Sequence, residues 1–200
     1  MSLTYGVAVL ARPTFDVPFA EDMKNRAFAA LEVAGIRAVG PRELLFDRTA
    51  AERAIDEIRS AGRIDLLLIL QITFTDATMT VKLAKEATTP IAIWAVPEPR
   101  IGGRLRLNAY CGLNLAAHAL GRAGVPHGWL YADPGSPGIA GSLRSLATPA
   151  MSVPSRAQPS TEKADARADA VLDTLRGSKI TVIGKHPDGF DTCEYDEKLL

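Results

Sequence analysis

A doubly wound α/β fold, built on a five-stranded parallel sheet ordered 2-1-3-4-5, is what this sequence predicts. Two observations carry that reading. Strand-length apolar runs alternate with helix-period patterns five times between residues 4 and 131, and one run, "DLLLIL", is aliphatic without interruption. Such alternation builds a parallel sheet with helices on both faces, joined by right-handed crossovers. An unbroken aliphatic strand belongs where both faces are covered, which places this run, the third strand, at the centre of the order.

The elements follow in turn. "YGVAVLA" (5–11) is the first strand; Met23, Ala27, Ala30, Leu31 and Ala34 then recur at helical spacing until Gly35 stops the helix. "IRAVG" (36–40) is a short second strand, and Ala51, Ala54, Ile55, Ile58 and Ala61 mark a second helix closed by Gly62. "IDLLLIL" (64–70) is the third strand, with Asp76 placed to cap a helix carrying Met79, Leu83, Ala84 and Ala87. "PIAIWAV" (90–96) is the fourth strand, Leu113, Ala116, Ala117 and Leu120 mark its helix, and "HGWLY" (127–131) is the fifth.

Beyond Tyr131 the character changes. Residues 134–160 are rich in Gly, Pro and Ser and read as a connection. A helix resumes with Ala164, Ala168, Val171, Leu172 and Leu175, and "KITVIG" (179–184) reads as a new strand before what looks like the start of another helix. A lone strand buries little. Either it joins the first sheet as a sixth strand, or residues 161–200 open a second α/β domain that continues past Leu200; the second alternative is the expectation. The predicted organisation is therefore an N-terminal domain (1–133), a connection (134–160) and the start of a second domain (161–200).

Composition narrows the function. With 200 residues, 47% hydrophobic, 23% charged and a formal net charge of zero, the chain has ordinary globular composition. It has no basic stripe to suggest nucleic acid or an anionic membrane surface as partner. No apolar run approaches the roughly 20 residues of a membrane span. "LTYGVAVLA" near the N-terminus lacks a signal-peptide pattern, and Cys111 and Cys193 form no disulfide framework. A cytoplasmic location is expected.

In open sheets of this kind ligands gather where the strand order reverses, at the carboxyl ends of strands 1 and 3. Two loops flank that point, "ARPTFD" and "QITFTDA", with "PEPRIGGRLRLNAYCG" after strand 4 close by. Arg12 reads either as a surface arginine before a proline or as a guanidinium aimed at a ligand. Asp76 reads as a helix cap or as a rim acid, and Gln71 and Thr73 as partners of loop backbone or of a ligand. Trp94 reads as core or as a platform for a sugar ring. Gly102-Gly103 precedes a cationic strip, Arg100, Arg104 and Arg106, without the signature of a phosphate loop.

No catalytic centre is legible. His118, His127 and His186 lie on three different segments, with no metal-ligand spacing, and no GxSxG elbow is present. No catalytic and no metal-binding residue is assigned.

Four stretches resemble the N-terminal part of the L-fucose isomerase and L-arabinose isomerase-like family: "LARPTFD", "DLLLILQITFTDA", "TPIAIWAVPEPRIGGRLRLNAYCGLNLAAHALGRAG" and "KITVIGKHPDGFDTCEYDE". The third is the most specific. The resemblance implies a flavodoxin-like first domain of a homo-oligomeric enzyme that interconverts aldoses and ketoses through an enediol. It implies Mn2+ in the full-length enzyme, with metal ligands and acid/base carboxylates in later segments, so this chain alone binds no cofactor and lacks the catalytic centre. It further implies a first domain that helps wall a neighbouring subunit's active site, with Arg12 as a sugar-hydroxyl contact and, more loosely, Trp94 as an aromatic near the sugar. The expected substrate-binding set is Arg12, Gln71, Thr73, Asp76 and Trp94. The alternative is a stand-alone flavodoxin-like sugar-binding module without catalysis.

Overall fold

The five apolar runs pair in parallel in the order β2-β1-β3-β4-β5. The computed structural model describes residues 3–148, 166–179, 181–196 and 198. The strands are β1 (Leu3–Leu10), β2 (Ile36–Val39), β3 (Leu66–Gln71), β4 (Ile91–Ala95) and β5 (His127–Tyr131). Helices α1 (Val17–Val33), α2 (Arg48–Ser60), α3 (Thr78–Glu86) and α4 (Ala109–Arg122) are the crossovers, and α5 (Ile139–Ser145) and α6 (Ala166–Arg176) follow.

Burial explains the placement of each strand. Every residue of β3 and β4 is buried, as an aliphatic run covered by helices on both faces requires. The register sets Leu10 of β1, Gln71 of β3 and Ala95 of β4 side by side, so these three strands end level and their loops emerge together. Helix starts follow from carboxylates. Asp16 accepts the Phe19 N–H at 3.1 Å to open α1, and Asp47 accepts the Ala50 N–H at 2.7 Å to open α2. Gly35, at φ 68°, ends α1 where a left-handed residue is needed.

Two readings of the C-terminal third change. The connection read from residue 134 contains α5, a seven-residue helix whose Ile139 and Leu143 are buried against the core. Its two buried apolar anchors stand one turn apart among glycines and serines, and Arg144 donates to the Ala34 carbonyl of α1's end at 2.8 Å. Residues 149–160 lie outside the described residues. The set-aside alternative, a sixth strand of this sheet, finds no support: no strand is found at 181–184, and Ile183 is 94% exposed. Ile180 lies outside the described residues. A β-branched run becomes a strand by pairing, and no strand lies beside this one among the described residues. The expected helix start after it is a short 3-10 turn, Asp191–Cys193. No helix among the described residues is long and apolar enough to cross a membrane.

One core contact has a pH signature. Tyr5 on β1 is fully buried, and its hydroxyl donates to the Leu143 carbonyl at 2.7 Å, tying α5 to the sheet. Burial pushes its phenol up to about 12. The folded chain thus holds this proton more tightly than the unfolded chain, whose tyrosine titrates near ~10. The stabilisation is complete below pH ~10 and is lost as pH rises from there towards about 12. Urea unfolding across this window should show stability falling with pH, and Tyr5→Phe should flatten that fall. An equally steep fall in the variant would assign the effect to other groups.

Candidate functional site

Polar side chains converge at the carboxyl ends of β1, β3 and β4, where the strand order reverses. The loops there are stitched by backbone as well as side chain. The Arg12 N–H donates to Thr73 Oγ1 at 2.8 Å, and the Phe74 N–H donates to the Leu107 carbonyl at 2.8 Å. The first bond ties the β1 loop to the β3 loop, and the second ties the β3 loop to the β4 loop.

Arg12 and Asp76 meet across 64 residues of sequence, with Nη2 donating to Oδ2 at 2.7 Å. The guanidinium lies 5.9 Å from the centre of the Phe74 ring, within cation–π range. The other oxygen of Asp76 accepts the Thr78 N–H at 3.0 Å and the Thr78 hydroxyl, at the first turn of α3. The N-cap of α3 is Ala77, without a side-chain cap bond, so Asp76 serves from one residue before it, as a turn partner of Thr78 and partner of Arg12. With Nη2 engaged by Asp76, the guanidinium keeps donors for a ligand.

Gln71 and Thr73 are fully buried and serve the loop itself. Gln71 Nε2 donates to the Thr73 carbonyl at 2.7 Å and to Thr75 Oγ1 at 2.9 Å. Its Oε1 is buried without a hydrogen-bond partner. Gly112 of α4 sits against this side chain so closely that a methyl group there would lie 3.0 Å from it. Trp94 is 0% exposed, and its Nε1 donates to the Ala132 carbonyl at 3.0 Å. Its ring is enclosed by the core and offers no face to a ligand in this structure. Of the five expected contacts, Arg12 and Asp76 reach the surface together, and Gln71, Thr73 and Trp94 lie beneath it.

The β1 and β4 loops add Asp16 and Glu98, which sequence reading did not single out, beside Arg104 and Arg106 of the cationic strip. Asp16 accepts from Arg106 Nε at 2.8 Å, and Arg106 lies 3.9 Å over the Phe19 ring. The Phe19 N–H, and after it Arg106, holds the Asp16 carboxyl below its usual range. Arg104 donates to the Thr14 carbonyl at 3.1 Å. Glu98 gathers three backbone N–H groups, from Arg106, from Leu107 at 2.9 Å and from Asn108 at 2.7 Å, which shapes the approach to α4. A shallow depression of about 300 Å3 lies between these loops, lined by Thr14, Phe15, Asp16, Arg104, Leu105 and Arg106. Arg100 and Arg104 are exposed with no carboxylate partner among the described residues, leaving the rim a surplus of positive charge. The one sequence hint of this arrangement was the cationic strip itself.

A second hollow of about 290 Å3, lined largely by Ile55, Ile58, Ile64, Leu67 and Leu83, opens at the other end of the strands, between α2 and α3. Its aliphatic floor is edged by Arg59, Arg63 and Glu86, whereas the rim at the switch point gathers mainly hydrogen-bonding and charged groups, which suits the rim to a polyhydroxylated ligand. Among the described residues no three His, Cys, Asp or Glu side chains are grouped to hold a metal ion. Both oxygens of Asp76 are already engaged. The residues present do not fit a divalent cation.

A doubly wound domain with a hydrogen-bonding rim at its switch point is the class that fold and site define. Residues 6–157 match the family described as fucose/sulfoquinovose isomerase, N-terminal domain, and the chain belongs to that family. It is 26% identical to the sulfoquinovose isomerase of Priestia aryabhattai over 192 residues, covering 96% of this chain and 38% of that protein. The sulfoquinovose isomerase of Alkalicoccus urumqiensis is 26% identical over 184 residues, covering 90% and 36%. That of Clostridium sp. (strain MSTE9) is 24% identical over 180 residues, covering 89% and 35%. The chain thus spans less than two fifths of the length of the curated relatives it matches.

Proposed function

We propose that this chain is the first domain of a sugar isomerase and supplies substrate contacts at the rim formed by Arg12, Asp76 and the β4 loop. Arg12 carries the reading. It is a guanidinium held in place by Asp76 and Phe74 at the switch point of a domain that belongs to an isomerase family. Aldose–ketose isomerisation moves a proton between C2 and C1 and a hydroxyl proton between O2 and O1, through an enediol, with no net oxidation. Arg12 would donate N–H groups to sugar hydroxyls and fix the substrate's orientation. Asp76 is engaged by Arg12 and Thr78, so the proton-transferring groups and any metal belong to other parts of the whole enzyme. Its oligomer, with this domain walling a neighbouring subunit's site, is part of the same proposal.

The relatives are named for sulfoquinovose, a sugar that carries a sulfonate. Exposed Arg100 and Arg104, without a carboxylate partner among the described residues, favour an anionic sugar of that kind over a neutral one. Assay of the whole protein with sulfoquinovose and with fucose is the test, following ketose formation with and without a chelator. Turnover of the sulfonated sugar is expected, with none from residues 1–200 alone. Sugar binding without turnover by the whole protein would favour a binding module instead. Chelator-sensitive turnover by residues 1–200 alone would overturn the division of labour.

A further inference from the structure

Resting on that reading, we propose that the turn at residues 187–190 belongs to the same rim and that Gly189 and Phe190 are positioning residues for Arg12. The segment "HPDGFDTCEYD" (186–196) has no part in the fold's sheet, yet its turn packs back onto the β3 loop. The Ala77 N–H donates to the Gly189 carbonyl at 3.2 Å. Gly189 has φ 79°, and a methyl group there would lie 2.9 Å from Thr78 Cγ2 and 3.0 Å from Asp76 Oδ1. It touches the carboxylate that holds Arg12. Any side chain at this position is strained by its backbone and also pushes on Asp76.

Phe190 acts on the arginine through Phe74. Its ring lies 5.7 Å from that of Phe74, and Phe74 lies 6.4 Å from Phe15 in the β1 loop. Arg12 sits by the middle ring of this row, 5.9 Å from its centre. The turn is itself anchored. Phe190 N–H donates to the Pro187 carbonyl at 3.2 Å, Cys193 N–H to the Phe190 carbonyl at 2.9 Å, and Glu194 pairs with Arg122 of α4 at 2.5 Å. The β3 loop thus holds the guanidinium directly, and the turn at 187–190 backs that loop at both Asp76 and Phe74. A long side chain held in its working rotamer loses less freedom when substrate binds.

The test is a double-mutant cycle on the whole protein, reading kcat and KM together with thermal unfolding. Phe190→Ala should lower kcat/KM by about 10- to 100-fold, the scale of a misplaced contact, and Phe190→Tyr should restore most of it. Combined with Arg12→Ala, Phe190→Ala should add almost nothing, because the residue it positions is gone. Gly189→Ala should behave as Phe190→Ala does. If Phe190→Ala fails to fold, Phe190→Leu takes its place in the cycle. Full additivity of the two losses would make the turn a merely structural support and overturn the inference while leaving Arg12's role intact. A silent Arg12→Ala would instead overturn the substrate-contact reading, and the inference with it.

Discussion

Arg12→Ala in the whole enzyme is expected to lower kcat/KM by roughly 10- to 160-fold while the fold stays intact. Losing a hydrogen bond from a charged donor costs about 1.5–3 kcal/mol, and about 1.4 kcal/mol is a factor of ten. Pro13 biases Arg12 towards extended backbone, and the bond from its own N–H to Thr73 fixes where the side chain leaves β1. Stability should change little. The Arg12–Asp76 pair is partly exposed, with the arginine side chain 36% accessible, and such pairs contribute ~0–1 kcal/mol. Asp76 keeps its bonds to Thr78 when Arg12 is gone. If the contact is made across a subunit boundary, mixing this variant with one inactivated elsewhere in the active site should restore part of the activity. Wild-type kinetics in the single variant would reduce Arg12 to a surface arginine. A crippled variant without complementation would keep the contact but place it within one subunit.

Trp94→Ala should have the opposite signature: stability lost first, with catalysis lost only as the fold is. Trp94 is completely enclosed on β4, and its Nε1 satisfies the Ala132 carbonyl beyond β5. Truncating a buried tryptophan costs about 3–5 kcal/mol in lost burial and residual cavity. That is a large share of the ~5–15 kcal/mol that holds a typical domain. For a chain of this size it corresponds to a fall in melting temperature of roughly 6–20 °C. Trp94→Phe keeps most of the volume but leaves the Ala132 carbonyl without its donor, so it should fall between wild type and Trp94→Ala. A Trp94→Ala variant that melts like wild type but binds sugar poorly would return Trp94 to the substrate-contact set.

These two residues also show what the sequence could reveal. The sheet was legible because its evidence is local: five aliphatic residues in a row at Leu66–Leu70 can be accommodated only where both faces are covered. The rim's location followed from strand order. The roles of its residues did not: Arg12, Asp16, Arg104 and Arg106 find partners 61 to 90 positions away, and even the local bonds of Gln71 depend on how the loop folds. Nothing around Gln71 or Thr73 shows that both turn inward to hold loop backbone, or that Thr73 receives the N–H of Arg12. Asp76 looked like a cap, but Ala77 takes that position; Asp76 bonds Thr78 from just before the helix, and its second oxygen belongs to Arg12. Helix α5 was hidden by its shortness, with Ile139 and Leu143 set among glycine and serine. Residues 181–184 form no strand beside this sheet, since β-branched composition describes a strand's preference and pairing decides whether one forms. The row formed by Phe15, Phe74 and Phe190 comes from three unrelated segments, and periodicity has no means of bringing them together.

A crystal structure of the whole protein with a bound, non-reacting sugar alcohol tests the substrate-contact role of this domain most directly. Arg12 should donate to a sugar oxygen at about 2.7–3.2 Å, from its own or a neighbouring subunit, with Asp76 and the turn at Gly189 still behind it. A sugar seated in the catalytic pocket with the 12–16 and 71–76 loops turned to solvent and no ligand atom within reach of Arg12 would contradict it.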